Sequence, residues 1–533
     1  MRVKTMKYDL LIQNGRILDG TGNPWYRADI GIIEGRIEAI GDLKREPADE
    51  KIDAKGLTVS PGFIDIHSHS DFTVLIDRRV ESKIRQGVTT EVVGNCGTSA
   101  APMNAAVKAY RQKYMTSQLG EDFDFGWQTT NEYMKLIDSE GASFNVVTLV
   151  GQGTVRQNVM GYDDRSPTEA ELEEMRKLVS ESMEDGAWGL STGLIYPPSC
   201  YAGTDEIAEL AKVLVRYGGV YFSHIRDEGG KLLEAVKEAI EIGERAGVPV
   251  QIAHFKASGK NYWGKTEESL KLVEEARKMG VDVTFDQYPY TASSTGLSAL
   301  LPQWAHEGGS AKLLERLRDP DIRRKIADGP EVLTRDLDTV VVSLAKKNPQ
   351  FEGKSISEIA EIEGKLPMDE VFDLLLAEDA QVNIIAHGMS EDDVRRVMRS
   401  PYMMVGSDGR AVAPRGILGE GKPHPRYYGT FPRVLGHYVR EGVISMEEAV
   451  RKMTSAPAQR LGLWDRGMLK EGFKADLALF DPEKVNDKAT FTNPHAYATG
   501  IPYVIVNGKI VIDDNEHTGV LPGRALRKND IIS

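Results

Sequence analysis

A chain of 533 residues, 41% of them hydrophobic, has material for a large catalytic domain and a satellite. Its 66 Lys and Arg stand against 80 Asp and Glu, a net charge of -14, which argues against a broad basic footprint for nucleic acid or anionic membrane and leaves only local cationic pockets. Cys96 and Cys200 are its two cysteines, too few for a disulfide framework; with no apolar run of the roughly 18 to 20 residues that span a bilayer, and no apolar signal core after Met1, the expectation is a cytoplasmic protein.

Residues 8–60 carry short β-like runs, Asp9–Ile12, Asp29–Ile33 and Arg36–Ile40, separated by Asn14-Gly15, Glu34-Gly35 and Gly41-Asp42 turns, which predicts a small antiparallel sheet. An apolar run from Gly62 then ends in His67-Ser68-His69. Side chains alternate along a strand, so these two imidazoles share a face and can hold one metal ion, although two satisfied polar histidines would give the same pattern.

From there strand-like runs alternate with helical stretches such as Glu169–Glu184 and Lys231–Arg245, which implies βα units and a parallel sheet. The runs are the His-x-His strand, Val88–Val93, Asn145–Val150, Ala187–Ser191, Gly219–Ser223, Val250–Ala253, Val281–Phe285, Val382–Ala386 and Met403–Gly406. Nine candidates compete for the eight slots of a (β/α)8 barrel, and the run at 382–386 is taken as the extra piece. Between about 292 and 380 the rhythm breaks into charged, helix-prone sequence (Ala311–Asp328, Ser355–Glu363), too long for a βα loop. It reads as an insertion on the barrel rim, either a lid or a peripheral elaboration. Ala475–Phe480 and Tyr503–Ile512 restore the β pattern, with a hairpin at Asn507-Gly508. The expected division is a terminal β domain of residues 1–60 plus 466–533 beside a barrel of residues 61–465.

Polar residues recur where the predicted strands end: His67, His69, Cys96, His224, His254 and Asp408. In a parallel barrel all those ends open on one face, where active sites lie. Singly, Cys96 reads as a small buried hydrophobe, His224 or His254 as a core histidine and Asp408 as a turn cap. Independent accidents do not put all six at the same kind of place.

With these motifs in view the sequence resembles the amidohydrolase superfamily, and within it the N-acyl-D-amino-acid deacylases. The resemblance runs from Ile12–Gly15 through Pro61–Asp71 to Val504–Gly508. It is most specific at Gly87–Thr90, Gly94-Asn95-Cys96-Gly97, Asp286–Tyr290, His424-Pro425-Arg426 and Gly429–Arg433. It implies a (β/α)8 TIM-like barrel, a β-sandwich made by both termini, and a tight zinc ion on Cys96, His224 and His254. His67, His69 and Asp408 would form a second, weaker metal position. A cysteine stands where relatives have a carboxylated lysine bridge, which argues against a symmetric two-metal site and against the rival cyclic-amide (hydantoinase- or dihydroorotase-like) reading.

The implied reaction is zinc-dependent hydrolysis of the amide of an N-acyl-D-amino acid, a small-molecule partner, with Asp408 as general base and then acid. The resemblance assigns the substrate carboxylate to Lys256, Tyr288, Ser294 and Arg426, and the developing oxyanion to Tyr196. Relatives acting on acidic side chains carry an arginine soon after the Tyr-Pro-Tyr stretch. Here Gly296–Trp304 holds no cation, so an apolar or neutral side chain is expected. A non-catalytic scaffold would have lost ligands, and all six are present. His387 follows a strand-like run without an assigned role, and the sequence sets no oligomeric state.

Overall fold

The computed structural model describes residues 7–115, 120, 123–329, 332 and 336–532; the first six residues, on which the reading of the chain's start falls, and parts of the 292–380 segment lie outside that description. Eight parallel strands follow one another around the catalytic half: β1 (Phe63–Asp65), β2 (Val88–Val93), β3 (Asn145–Thr148, continued by Val150–Gly151), β4 (Gly189–Gly193), β5 (Val220–His224), β6 (Val250–Ile252), β7 (Val283–Gln287) and β8 (Met403–Val405). β3 is the hinge of the ladder, since its first part pairs with β2 and its continuation with β4. The ring closes between β8 and β1 just beyond their ends, where Asp408 N–H donates to the His67 carbonyl at 2.8 Å and His69 N–H to the Gly409 carbonyl at 2.9 Å.

Period-two alternation decides which side chains point inward. Ile64, Val92, Val147, Val220, Phe222 and Met404 pack together with Leu461 and Leu463 in the barrel interior. Their neighbours Tyr221, Val250, Ile252, Phe285 and Val405 pack outward against Val179, Ile207, Val236, Val273 and Val397 of the surrounding helices. On β5 this phase continues to the last residue, so His224 stands on the face of Val220 and Phe222. Under the closing seam, Lys83 is fully buried, with Nζ 2.7 Å from Asp65 Oδ2, 3.0 Å from Glu91 Oε1 and 2.5 Å from Ser407 Oγ. One cation thus joins β1, β2 and the segment after β8, where few backbone hydrogen bonds do so.

The helices start where the sequence provides caps. Glu169–Glu184 opens on a capping box in which Thr168 and Glu171 exchange hydrogen bonds. The predicted Ala311–Asp328 helix is two helices, Ser310–Arg316 and Pro320–Ala327, because Pro320 has no N–H to continue the first and is well placed to start the second, which Asp319 caps.

The run at 382–386 lies outside the barrel, as expected of the extra piece. It forms the strand Asn383–His387, flanked antiparallel by Ala292–Gly296 and Val340–Leu344. Together with Leu297, Leu313, Leu317 and Phe372 this small sheet encloses a core of its own, so the excursion from the barrel runs on to about His387.

The two termini share one nine-stranded sheet, in the order Glu516–His517, Lys509–Asp513, Tyr503–Val506, Leu477–Phe480, Thr58–Pro61, Tyr8–Ile17, Tyr26–Ile33 and Arg36–Gly41, with Ala48–Asp53 also on Tyr8–Ile17. The edge strand folds back, Ile37 N–H donating to the Phe473 carbonyl at 2.8 Å, so Leu10, Ile12, Ile30 and Ile32 meet Leu477, Leu479 and Ile505 in one layered core. The alternate residues Ala478, Phe480, Val504 and Val506 pack with the barrel's outer layer. The Asn507-Gly508 hairpin forms with φ of 49° and 76°, the left-handed pair that a type I′ turn requires. Among the described residues no helix is long and apolar enough to cross a membrane.

Candidate metal centre and active site

All six sequence-predicted ligands meet at the C-terminal mouth of the barrel. Their donor atoms form two groups, His67, His69, Cys96 and Asp408 in one and Cys96, His224 and His254 in the other, each within 4.8 Å. Cys96 belongs to both. Three of the six, Cys96, His254 and Asp408, have positive φ values of 51°, 34° and 49°. That backbone conformation is costly for residues with a Cβ and collects where a side chain must be re-aimed just past a strand end. Around Cys96 the chain is packed tightly, and a Cβ on Gly193 would sit 2.1 Å from the Cys96 carbonyl oxygen, so only glycine fits there.

Cys96 Sγ lies 3.3 Å from His67 Nε2 and 3.7 Å from His254 Nε2, and His254 Nε2 is 2.8 Å from His224 Nδ1. Burial alone would raise the Cys96 thiol. The charge of His67 and hydrogen bonds from His224, His254 and His67 outweigh burial and hold it well below the usual thiol range, favouring thiolate. His224 faces the group through Nδ1, and its Nε2 is buried without a hydrogen-bond partner. That donor set, one thiolate and two imidazoles, fits catalytic zinc, which takes three protein ligands.

The other group is held differently. His67 Nδ1 is 2.9 Å from Asp286 Oδ1, which fixes the ring so that Nε2 faces the centre. Asp286 Oδ1 also accepts from the His254 N–H at 2.8 Å, and Oδ2 from Gln251 Nε2 at 3.0 Å. Asp408 Oδ1 is 2.9 Å from His69 Nε2, and Asp408 Oδ2 is 2.7 Å from Arg426 Nη1. Burial pushes the Asp408 carboxyl up, yet Arg426, His254, His69 and His67 together hold it well below the ordinary carboxylate range, so it stays ionised.

The residues assigned to substrate surround this centre. Lys256 is 7% exposed; its Nζ lies 2.7 Å from His254 Nδ1 and 2.5 Å from Glu228 Oε1. Arg426, 2% exposed, begins the helix Arg426–Arg433, and its guanidinium stacks 4.7 Å from the Tyr288 ring centroid. Its Nη2 donates to the Ser294 carbonyl at 3.3 Å and Nη1 is paired with Asp408 Oδ2 at 2.7 Å, while Nε has no hydrogen-bond partner. Tyr196 stands edge-on to His224 at 5.0 Å, with its hydroxyl 3.0 Å from Thr295 Oγ1 of the inserted sheet. His387 packs against Phe491 at 4.7 Å. His424 accepts from the Arg426 N–H through Nδ1 at 3.0 Å and contacts the Ala292 carbonyl through Nε2 at 2.9 Å.

Sequence reasoning gave no role to Asp286 and did not single out Glu228. Asp286 had a readable signal, a carboxylate inside the apolar strand Val283–Gln287. Glu228 had none, because it lies in an ordinary-looking polar loop after His224.

A barrel mouth with this set of ligands defines a class of metal-dependent hydrolases, and the sequence comparison agrees: residues 50–512 match the Amidohydrolase family, to which the chain belongs. Within it, the chain is 38% identical to the D-aminoacylase of Alcaligenes xylosoxydans xylosoxydans, with 98% of each chain aligned, and 36% identical to the N-acyl-D-glutamate deacylase of the same organism over 99% of this chain and 98% of that one. Among solved structures it superposes on the N-acyl-D-glutamate deacylase of Bordetella bronchiseptica, complexed with zinc and a phosphonate mimic of the tetrahedral intermediate, with a TM-score of 0.83, 35% identity and coverage of 98% and 100%. A D-hydantoinase, 17% identical with a TM-score of 0.55 over 97% of this chain and 98% of that one, shares the fold alone.

Proposed function

We propose that this protein is a zinc-dependent amidohydrolase that cleaves the linear amide of N-acyl-D-amino acids into a carboxylic acid and a free D-amino acid. The observation that carries the reading is the placement of Cys96, His224 and His254 beside the ionised Asp408, with Arg426 paired to it and a further buried donor, Nε, unpartnered. The relatives' names supply the substrate class and the D configuration.

Cys96, His224 and His254 would hold the zinc, which would acidify water and polarise the amide carbonyl. Asp408, kept ionised by its neighbours, accepts the proton of the attacking water and passes it to the leaving amine. Tyr196 faces the same space; burial pushes its phenol far above the usual range, so it stays protonated and can donate to the developing oxyanion. Arg426 Nε, buried without a partner, can donate to the substrate carboxylate while Nη1 stays with Asp408, supported by Lys256, Tyr288 and Ser294. His67 and His69, with Asp408, form a weaker second metal position. Gly296–Trp304 brings no cation to the substrate side chain, so apolar or neutral side chains are preferred. The terminal sheet and the barrel are taken as separate domains, divided near residues 60 and 466.

A racemic panel of N-acyl amino acids, apolar, neutral and acidic, with chiral analysis of the product tests this. The expected product is the D-amino acid, fastest from apolar or neutral substrates. Release of the L isomer, or turnover of a hydantoin in place of the linear amides, overturns it.

A further inference from the structure

Glu228 belongs to no ligand group and lies just beyond β5, yet its side chain reaches back to the two residues on which metal and substrate binding depend in the reading above. Its Oε1 lies 2.9 Å from His254 Nδ1 and 2.5 Å from Lys256 Nζ. The same His254 ring turns Nε2 toward Cys96, at 3.7 Å, so Nδ1 is the nitrogen facing away from the centre. Glu228 is 16% exposed in its side chain, and β5 and β6, whose ends it spans, are paired along Tyr221–Ser223 and Val250–Ile252.

We infer that Glu228 is a positioning residue with two tasks: it orients His254 as a metal ligand by accepting from Nδ1, and it holds the Lys256 ammonium at the place where the substrate carboxylate arrives, so that Nδ1 and Nζ, 2.7 Å apart, are two donors sharing its Oε1. The argument is chemical. An imidazole that binds a metal through one nitrogen carries its proton on the other, and a carboxylate accepting that proton fixes both the ring plane and the ligand's basicity; losing such a partner typically weakens metal affinity by about 10- to 100-fold. Lys256 sits at the end of a flexible four-carbon stem, and a carboxylate at 2.5 Å restricts it to one position beside His254. Because both contacts fall on one oxygen, one residue ties the metal site to the carboxylate site. Asp286 holds His67 from behind in a similar way but touches no residue assigned to substrate, so its effect should stay with the metal centre.

The inference rests on the proposed function for the role of Lys256, and its metal arm is independent of turnover. Zinc dissociation constants, measured by chelator competition on Glu228→Gln, Glu228→Asp and Lys256→Met, read the first task. KM and kcat at saturating zinc read the second. Glu228→Gln should weaken zinc by about 10- to 100-fold and also raise KM when zinc is saturating. Lys256→Met should raise KM and weaken zinc far less than Glu228→Gln does, since it removes a neighbouring cation and leaves the carboxylate on His254 Nδ1, and Glu228→Asp, which keeps the charge with a shorter reach, should fall between wild type and Gln and serves if the Gln variant does not fold. Zinc affinity of the Glu228 variants within twofold of wild type overturns the inference. Weakened zinc with no turnover of any N-acyl-D-amino acid, wild type included, would instead refute the substrate reading and leave Glu228's metal role standing.

Discussion

The two ligand groups that share Cys96 differ in how their members are occupied. In the group of Cys96, His224 and His254 the imidazoles turn toward the thiolate and toward one another, and His224 Nε2 is left without a partner. Each group has an imidazole held from behind by a carboxylate, His254 by Glu228 and His67 by Asp286; what sets the group of His67, His69 and Asp408 apart is Asp408, whose second oxygen is paired with Arg426. The first is arranged to receive a cation. The second is arranged to hold a carboxylate ionised, because an anion this deeply buried persists only when cations and hydrogen bonds surround it. A thiolate at the junction concentrates negative charge on the first side, and the arginine on the second competes with any cation for Asp408.

The sharpest way to break this comparison is at the shared atom. Cys96→Ala should lose the tight zinc and all measurable turnover; retention of about one zinc per chain, read by metal analysis after dialysis, would mean that the histidines and Asp408 bind on their own. Next in size is Asp408→Asn, which keeps the shape and removes the proposed base. Zinc should remain while kcat falls by about 10²- to 10⁴-fold, the range for loss of a general acid–base group; near-normal turnover would move the proton transfer elsewhere. Arg426→Ala is smaller and falls on KM. Losing one or two charge-assisted hydrogen bonds, each about 1.5 to 3 kcal/mol, corresponds to a rise of roughly tenfold or more. An unchanged KM would remove Arg426 from the substrate carboxylate.

Much of this arrangement is legible in the sequence because strand periodicity and strand ends are local properties. His224 closes a strand whose alternation already places it with Val220 and Phe222, and the hairpin at Asn507-Gly508 is written in two residues. The extra strand at 383–387 also separates correctly, since eight slots admit eight strands. What is not local is not legible. The sheet that Asn383–His387 completes needs residues about 90 positions earlier, at Ala292–Gly296. Glu228 has no local mark, because its importance lies in the partners that folding brings to it. Lys83 is similar: a lysine in a polar stretch reads as surface, yet its charge is fully buried between Asp65 and Glu91 at the seam of the barrel.

The smallest expected effect on metal is the most informative about the pair that first marks the sequence. His67 Nε2 is 3.3 Å from Cys96 Sγ and 3.5 Å from Asp408 Oδ1, while Nδ1 is fixed by Asp286, so its ring lies between the two groups and its positive charge supports the thiolate from one side. Burial would lower the His67 imidazole, but Asp286 and Cys96 outweigh it and hold the imidazole well above its usual range. Zinc on Cys96, His224 and His254, as proposed, would supply the same positive charge to the thiolate and would make the contribution of His67 redundant for metal retention. His67→Asn is therefore expected to keep about one tightly bound zinc, with a reduced kcat through the lost contact to Asp408. If metal analysis finds that zinc is lost altogether, the His-x-His pair is a primary ligand set and the two groups are one binuclear site that needs both halves.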